Sequence, residues 1–74
     1  MSEADKMFEE IGYKKTNSGI YGDIIYKSTR DLAQIIFCTI DKEVCCTNDE
    51  GEAIYFSIQE LKAINKKCEE FGWI

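Results

Sequence analysis

The same five-residue pattern occurs twice in this chain of 74 residues, and the two stretches restrict the fold that the chain can adopt. Each runs as two glutamates, an apolar residue, a glycine and an aromatic residue, at positions 9–13 and 69–73. A glycine after a helix can take the left-handed conformation that ends it, and the aromatic residue beyond can pack back on the last turn. We therefore interpret both stretches as helix ends with shared capping chemistry. An internal duplication is the alternative interpretation.

The residues before each glycine have helical periodicity. The first segment follows Ser2, a capping residue, and its apolar residues recur at helical spacing: Ala4, Met7, Phe8 and Ile11. In the second segment Ser57 and Glu60 form a capping box, and an apolar stripe follows: Ile58, Leu61, Ile64, Cys68 and Phe71. We expect Leu61 and Ile64 to fill the seam between this second helix and a sheet.

The region between the helices is rich in β-branched and aromatic residues, which favour strands. Strand-like runs lie at 24–26, 35–40, 44–47 and 54–56, and turn signals lie at 17–19, 29–31, 41–43 and 48–51. Links this short join antiparallel neighbours, because parallel strands need long crossovers. The sequence therefore predicts a single α+β domain over 1–74: a helix, an antiparallel β-meander of three to four strands, and a C-terminal helix packed on one sheet face.

The central strand is apolar on both sides, since Ile36, Cys38 and Ile40 alternate with Ile35 and Phe37. Two helices cover only one face of such a sheet. We expect the open face, on which we place Phe37, to be covered by a loop, by a second copy of the chain or by a partner.

The composition excludes several classes of function. The chain has no histidine, which rules out imidazole-based triads and histidine metal ligands. Of its four cysteines, Cys45 and Cys46 are adjacent and would point to opposite faces of a strand, and no C-x-x-C pair occurs. We expect reduced, buried cysteines, no metal site, no cofactor, no catalytic residue and no enzyme activity.

The charge and hydropathy of the chain predict its surroundings. Fourteen acidic residues exceed nine basic ones, which argues against direct binding to nucleic acid. The sequence contains no apolar run long enough for a membrane span or a secretion signal, so we expect a cytoplasmic protein.

The whole excess of negative charge lies between positions 41 and 60. Because such a segment can steer binding to a basic surface, we predict partner contacts at its acids and at tyrosines, which suit interfaces. The predicted contact residues are Asp41, Glu43, Asp49, Glu50, Glu52, Tyr21, Tyr26 and Tyr55. The alternative is a solvated face of turn-forming acids.

The two ends also resemble a family. The residues MFEEIGYKK at 7–15 and SIQELKAINKKCEEFGWI at 57–74 resemble small uncharacterised proteins of phages and prophages of low-GC Gram-positive bacteria, with a closing helix that ends in Gly-Trp. The resemblance implies no catalytic residue. It implies that the partner is a host protein, in the host cytoplasm.

Two functional hypotheses follow. The first is a small acidic interaction protein that binds and inhibits a host nucleic-acid-handling or defence protein with a basic surface, such as a CRISPR effector. The second is a structural module that forms a homodimer through its open sheet face and has no catalytic activity.

Overall fold

The computed structural model describes residues 2–16 and 22–74 and contains two helices and four strands in these two ranges. Tyr21 and the predicted turn at 17–19 lie outside the described residues. The elements are α1 (Glu3–Glu10), β1 (Tyr13–Thr16), β2 (Ile24–Ser28), β3 (Gln34–Cys38), β4 (Glu43–Thr47) and α2 (Ile58–Phe71). The α+β prediction is confirmed, with a meander between the two helices.

The helices begin and end where the capping signals indicate. The Ser2 hydroxyl accepts a hydrogen bond from the Asp5 backbone N–H at 3.1 Å, and both hydrogen bonds of the capping box between Ser57 and Glu60 are present. Gly72 ends α2 in the left-handed conformation, with φ +78°. Each helix therefore has a boundary set by local chemistry.

The C-terminus of α1 is held by the turn between β2 and β3. The Arg30 guanidinium donates to the Ile11 carbonyl at 2.7 Å, and the Thr29 backbone N–H donates to the Gly12 carbonyl at 2.7 Å. A Cβ on Gly12 would lie 2.8 Å from the Arg30 side chain. The glycine therefore both permits the positive φ that ends α1 and leaves room for this clamp.

The four strands form one antiparallel sheet in the order β1-β2-β3-β4. Paired residues share a face, and Tyr26 pairs with Ile35 while Ile24 pairs with Phe37. The face that contains these residues packs against the helices. The opposite face carries Lys14, Thr16, Ile25, Lys27, Gln34, Ile36, Cys38, Glu43, Cys45 and Thr47; we call it the open face.

An aromatic cluster forms the core between the helices and the sheet. The Phe8 ring stacks on Tyr26 with centroids 4.0 Å apart, and both rings meet the edge or face of Phe37. Phe71, the last residue of α2, and Trp73 just after it also pack on Phe37, with ring centroids 5.8 and 6.4 Å away. Tyr13 meets Phe8 edge-on, as the aromatic residue after a helix-ending glycine was expected to do.

A buried cation joins α1, β2 and α2. Lys67 Nζ lies 3.4 Å from Asp5 Oδ1 and 3.6 Å from Glu70 Oε1, and it lies over the Phe71 ring. The Tyr26 hydroxyl donates to the same Asp5 carboxylate. These contacts satisfy the charge of a lysine that is nearly excluded from water.

Three expectations about packing are wrong. Phe37 lies in the core and not on the open face, because the register places it beside Ile24 and Val44. Leu61 is 45% exposed, because α2 turns Ala63, Ile64 and Lys67 inward. The run at 54–56 forms no strand, and only a single bridge, between Thr47 and Ala53, precedes it.

Candidate protein-interaction surface

The predicted acidic residues lie at opposite ends of the sheet. Asp41 is in the turn between β3 and β4, and Glu43 is the first residue of β4. Asp49, Glu50 and Glu52 follow the other end of that strand. A five-residue strand is about 17 Å long, so the segment that is continuous in sequence forms two separate acidic sites.

The turn at 48–52 is held in one conformation by Asn48. Its side-chain Oδ1 accepts hydrogen bonds from the backbone N–H groups of Glu50 and Glu52, at 2.9 and 3.0 Å. Its side-chain amide donates to the Glu52 carboxylate at 3.0 Å, and its backbone N–H donates to the Glu52 carbonyl at 2.9 Å. Asp49 and Glu50 are thereby presented to solvent on an ordered turn.

Apolar side chains follow this turn at the surface. The Ile54 backbone N–H still donates to the Cys46 carbonyl at 3.0 Å, and the chain then leaves the sheet edge. Tyr55 is fully exposed and Phe56 is about half exposed. Ile58 is 67% exposed, and Leu61, three residues further along α2, lies beside it on the helix surface.

These residues form a continuous stretch of surface. Glu52 and Tyr55 are three residues apart, which limits their separation to about 11 Å even in extended chain. Acidic groups therefore border exposed apolar ones, as in the rim and centre of a protein interface. We call this the acidic–apolar surface and define it by Asp49, Glu50, Glu52, Tyr55, Phe56, Ile58 and Leu61.

Of the tyrosines predicted as contact residues, Tyr55 is exposed and Tyr26 is not. Tyr26 is 1% exposed, so its ring cannot contact a partner in this fold, and that prediction is corrected. Burial, together with the hydrogen bond to Asp5 and the charge of that carboxylate, raises its pKa well above the ordinary value. Tyr21 lies outside the described residues.

Three residues of the acidic–apolar surface were missed by the sequence reasoning: Phe56, Ile58 and Leu61. Ile58 and Leu61 were assigned to the buried stripe because they recur at three-residue spacing with Ile64. At 100° per residue, however, Ile58 lies about 120° around the helix from Ile64, whereas Phe71 lies within about 20° of it. The angle between these residues around the helix axis was therefore the signal in the sequence that could have placed Ile58 outside the buried face.

The cysteines are free thiols, of which Cys38, Cys46 and Cys68 are partly buried; Cys45 is exposed, so the expectation of buried cysteines is wrong for it. Burial, followed by the charge of Glu60 and the neighbouring Cys45, raises the pKa of Cys46 to about 11. Burial also raises the pKa of Cys68. The pKa of Cys38 is raised by burial and by nearby Asp23, Cys45, Glu43 and Asp41. These three thiols therefore stay protonated at neutral pH.

Within residues 2–16 and 22–74, no three His, Cys, Asp or Glu side chains come together in a group that could hold a metal ion. In the same ranges, no helix is long and apolar enough to cross a membrane. No protein-family model, curated protein or solved structure matches this chain. The candidate site is therefore argued from its geometry alone.

Proposed function

We propose that this chain is an interaction protein that binds another protein through the acidic–apolar surface. The observation that carries the proposal is the exposure of four large apolar side chains within seven residues, next to an acidic turn fixed by Asn48. The partner is a protein in which basic residues surround an apolar pocket.

The two parts of the surface have different energetic roles. Complete burial of a large apolar side chain contributes about 1.5 to 3 kcal/mol, so Tyr55, Phe56 and Ile58 together can offset the entropy lost on association. Asp49 and Glu50 are exposed and lie at the rim, where charges mainly accelerate encounter and select the partner. Affinity therefore comes from the apolar side chains, and steering comes from the acids.

The charge of the chain supports one class of partner. A net charge of −5 suits a basic groove that otherwise binds nucleic acid. The resemblance of the two ends to phage proteins supports a host protein that handles nucleic acid or acts in defence, such as a CRISPR effector. Occupation of its basic groove is the proposed mode of inhibition.

The test begins with capture of the tagged protein's partner from host cells, followed by binding measurements with that partner purified. We expect Tyr55→Ser/Ile58→Ser to raise the dissociation constant by about tenfold or more, because apolar contacts are lost. Changing Asp49, Glu50 and Glu52 to Lys should reduce the association rate by about tenfold at low salt, and less at high salt.

Matched controls lie elsewhere on the chain. Asp41→Lys/Glu43→Lys reverses two acids at the other end of β4, and Leu32→Ser/Ile40→Ser removes two exposed apolar side chains outside the surface. Both controls should bind as the unmodified chain does. Equal effects of the controls and the test variants, or no effect of either, would contradict the proposal.

A further inference from the structure

The open face has an apolar row across its middle. Ile25 pairs with Ile36, and Ile36 pairs with Cys45. Both isoleucines are half-buried and Cys45 is exposed, and the helices pack on the other side of the sheet. This row is separate from the acidic–apolar surface.

Charges of opposite sign lie on either side of the row. Lys14 pairs directly with Lys27 towards one end of the strands, an unfavourable arrangement of like charges within one sheet. At the other end Glu43 pairs with Cys38, and Asp23 lies beside Cys38, because Ile24 pairs with Phe37 and the Thr39 hydroxyl donates to the Gly22 carbonyl at 2.9 Å. The open face has two lysines and one acid, and Asp23, two residues before the open-face residue Ile25, brings the sum to zero in a chain with a net charge of −5.

The lysines are available for a partner. In the described part of the chain neither Lys14 nor Lys27 lies within 4.0 Å of a carboxylate. Asp31 and Asp49 line a shallow groove together with Lys27, but neither forms an ion pair with it.

From this arrangement we propose that the open face binds a second copy of the chain in a twofold-symmetric dimer. The symmetry axis runs across the strands, over the row of Ile25, Ile36 and Cys45, so that each strand lies over its own copy in reverse. Lys27 then faces Asp23 of the second copy, because both are two residues from Ile25. A twofold axis along the strands, between β2 and β3, would instead place Lys27 over Gln34 of the second copy and bring the lysine ends of both sheets together, which is repulsive.

Exposed apolar residues extend the same arrangement. Leu32 and Ile40 are both largely exposed and lie four residues before and four residues after Ile36. Leu32 lines the groove with the open-face residues Lys27 and Gln34. Reversal about Ile36 brings Leu32 of one copy towards Ile40 of the other.

The size of the face sets the strength of the dimer. Three strands of five residues and one of four give a face of about 15 by 17 Å, and the turn residues Leu32 and Ile40 extend it to roughly 400 Å² per copy. A stable interface buries about 800 Å² on each side. The dimer therefore belongs to the weak, transient class of interfaces. Protein concentrations of roughly 0.1 to 1 mM, close to the weak end of the affinity scale, are used to look for it.

A charge exchange tests the orientation by sedimentation equilibrium over this concentration range. Lys27→Asp and Asp23→Lys should each raise the dimer dissociation constant by about fivefold or more, because like charges then meet across the axis. The double variant Lys27→Asp/Asp23→Lys should restore it to within about twofold, since both pairs are re-formed in reverse. Circular dichroism verifies that each variant is folded.

Cross-linking tests the position of the axis. With Cys38, Cys46 and Cys68 changed to Ser, a bismaleimide of about 10 Å, the spacing of packed sheets, should join Cys45 of two copies. The matched control changes Cys45 to Ser as well and adds Ile58→Cys, and it should cross-link only weakly. If the chain with these serine substitutions is unfolded, the charge exchange alone decides the orientation.

Three outcomes would overturn the dimer: a monomer throughout the concentration range, a double variant as weak as the single ones, or, in a folded background, stronger cross-linking of the Ile58→Cys control than of the chain that keeps Cys45. All three outcomes concern self-association alone, whereas the proposed function is tested by binding to the captured partner, so the two can fail independently.

Discussion

Tyr26 contributes to the core with its ring and to a polar network with its hydroxyl. The ring stacks on Phe8, while the hydroxyl donates to the Asp5 carboxylate, which also binds Lys67. A buried lysine requires paired carboxylates, and those carboxylates require donors. The Tyr26 hydroxyl therefore stabilises the carboxylate that pairs with Lys67, and so helps to make the burial of that lysine possible.

Tyr26→Phe keeps the ring and removes only the hydrogen bond to Asp5. We expect the free energy of unfolding to fall by about 1 to 2 kcal/mol, because the donor to a partly buried carboxylate is lost. Urea unfolding under reducing conditions measures the change. Tyr55→Phe is the matched control and should change it by less than about 0.5 kcal/mol, since that side chain is fully exposed. An equal effect of the two substitutions would show that the network adds no stability.

At the level of the elements, local signals predicted more than long-range packing did. Ser57, Glu60 and Gly72 set the ends of α2 through bonds within a few residues, so the sequence was sufficient to locate them. The strand β1 was missed because its sequence, Tyr-Lys-Lys-Thr, has two adjacent lysines in place of a strand-like apolar run. Its place in the sheet depends on pairing with β2, which is a tertiary contact.

The candidate surface was predicted in part for the same reason. The acids of the 48–52 turn follow from turn chemistry, and Tyr55 is adjacent to them in sequence. Which side of α2 is buried depends on the position of α1 and the sheet, and Ile58 and Leu61 are exposed as a result. The side of the sheet that holds Phe37 depends likewise on where the helices pack.

Two substitutions in α2 test this assignment of its faces. Ile64→Ala should lower the free energy of unfolding by about 2 to 4 kcal/mol, because the side chain is 8% exposed and its removal leaves a cavity. Leu61→Ala, on the same helix, should cost less than about 1 kcal/mol. Chemical denaturation of both variants gives the comparison. A larger effect at Leu61 than at Ile64 would mean that α2 is rotated relative to the fold described above.

At the scale of the whole molecule, charge is distributed unevenly over three regions. The acidic–apolar surface carries a negative rim, and the open face is neutral with separated charges. The third arrangement is internal, where Lys67 is neutralised by Asp5 and Glu70. The charged residues of these three regions are therefore in different settings: an exposed acidic turn, a sheet face with lysines and acids at opposite ends, and a buried ion-pair network.

The internal network also sets the pH range over which the fold is stable. Burial opposes ionisation of Asp5, but the hydrogen bond from Tyr26 and the charges of Lys67 and Lys15 outweigh it and hold the pKa below its ordinary value of 3.8. A lowered carboxylate pKa stabilises the fold above 3.8, and this stability is lost as the pH falls below it. Burial raises the pKa of Tyr13 and of Tyr26 above 10.0. The hydrogen bonds that their hydroxyls donate to the carboxylates of Glu60 and Asp5, and the charges of those carboxylates, raise it further. That stabilisation is present below pH 10 and is lost as the pH rises above it.

We therefore expect the free energy of unfolding to be highest between about pH 5 and 8 and to fall on both sides. The alkaline fall begins near pH 9, because the raised thiol pKa of Cys46 adds the same sign of linkage from its ordinary value of 9.0 upward. Tyr26→Phe should reduce the loss of stability on both the acid and the alkaline limb of the curve of unfolding free energy against pH, since one hydrogen bond lowers the pKa of Asp5 and raises that of the tyrosine. Tyr13→Phe should flatten only the alkaline limb, because it leaves Asp5 and its partners in place. Urea unfolding of the unmodified chain and the two variants from about pH 2 to 11 measures this pH dependence. If Tyr26→Phe lost as much stability at low pH as the unmodified chain, Asp5 would not contribute to the stability of the fold in acid.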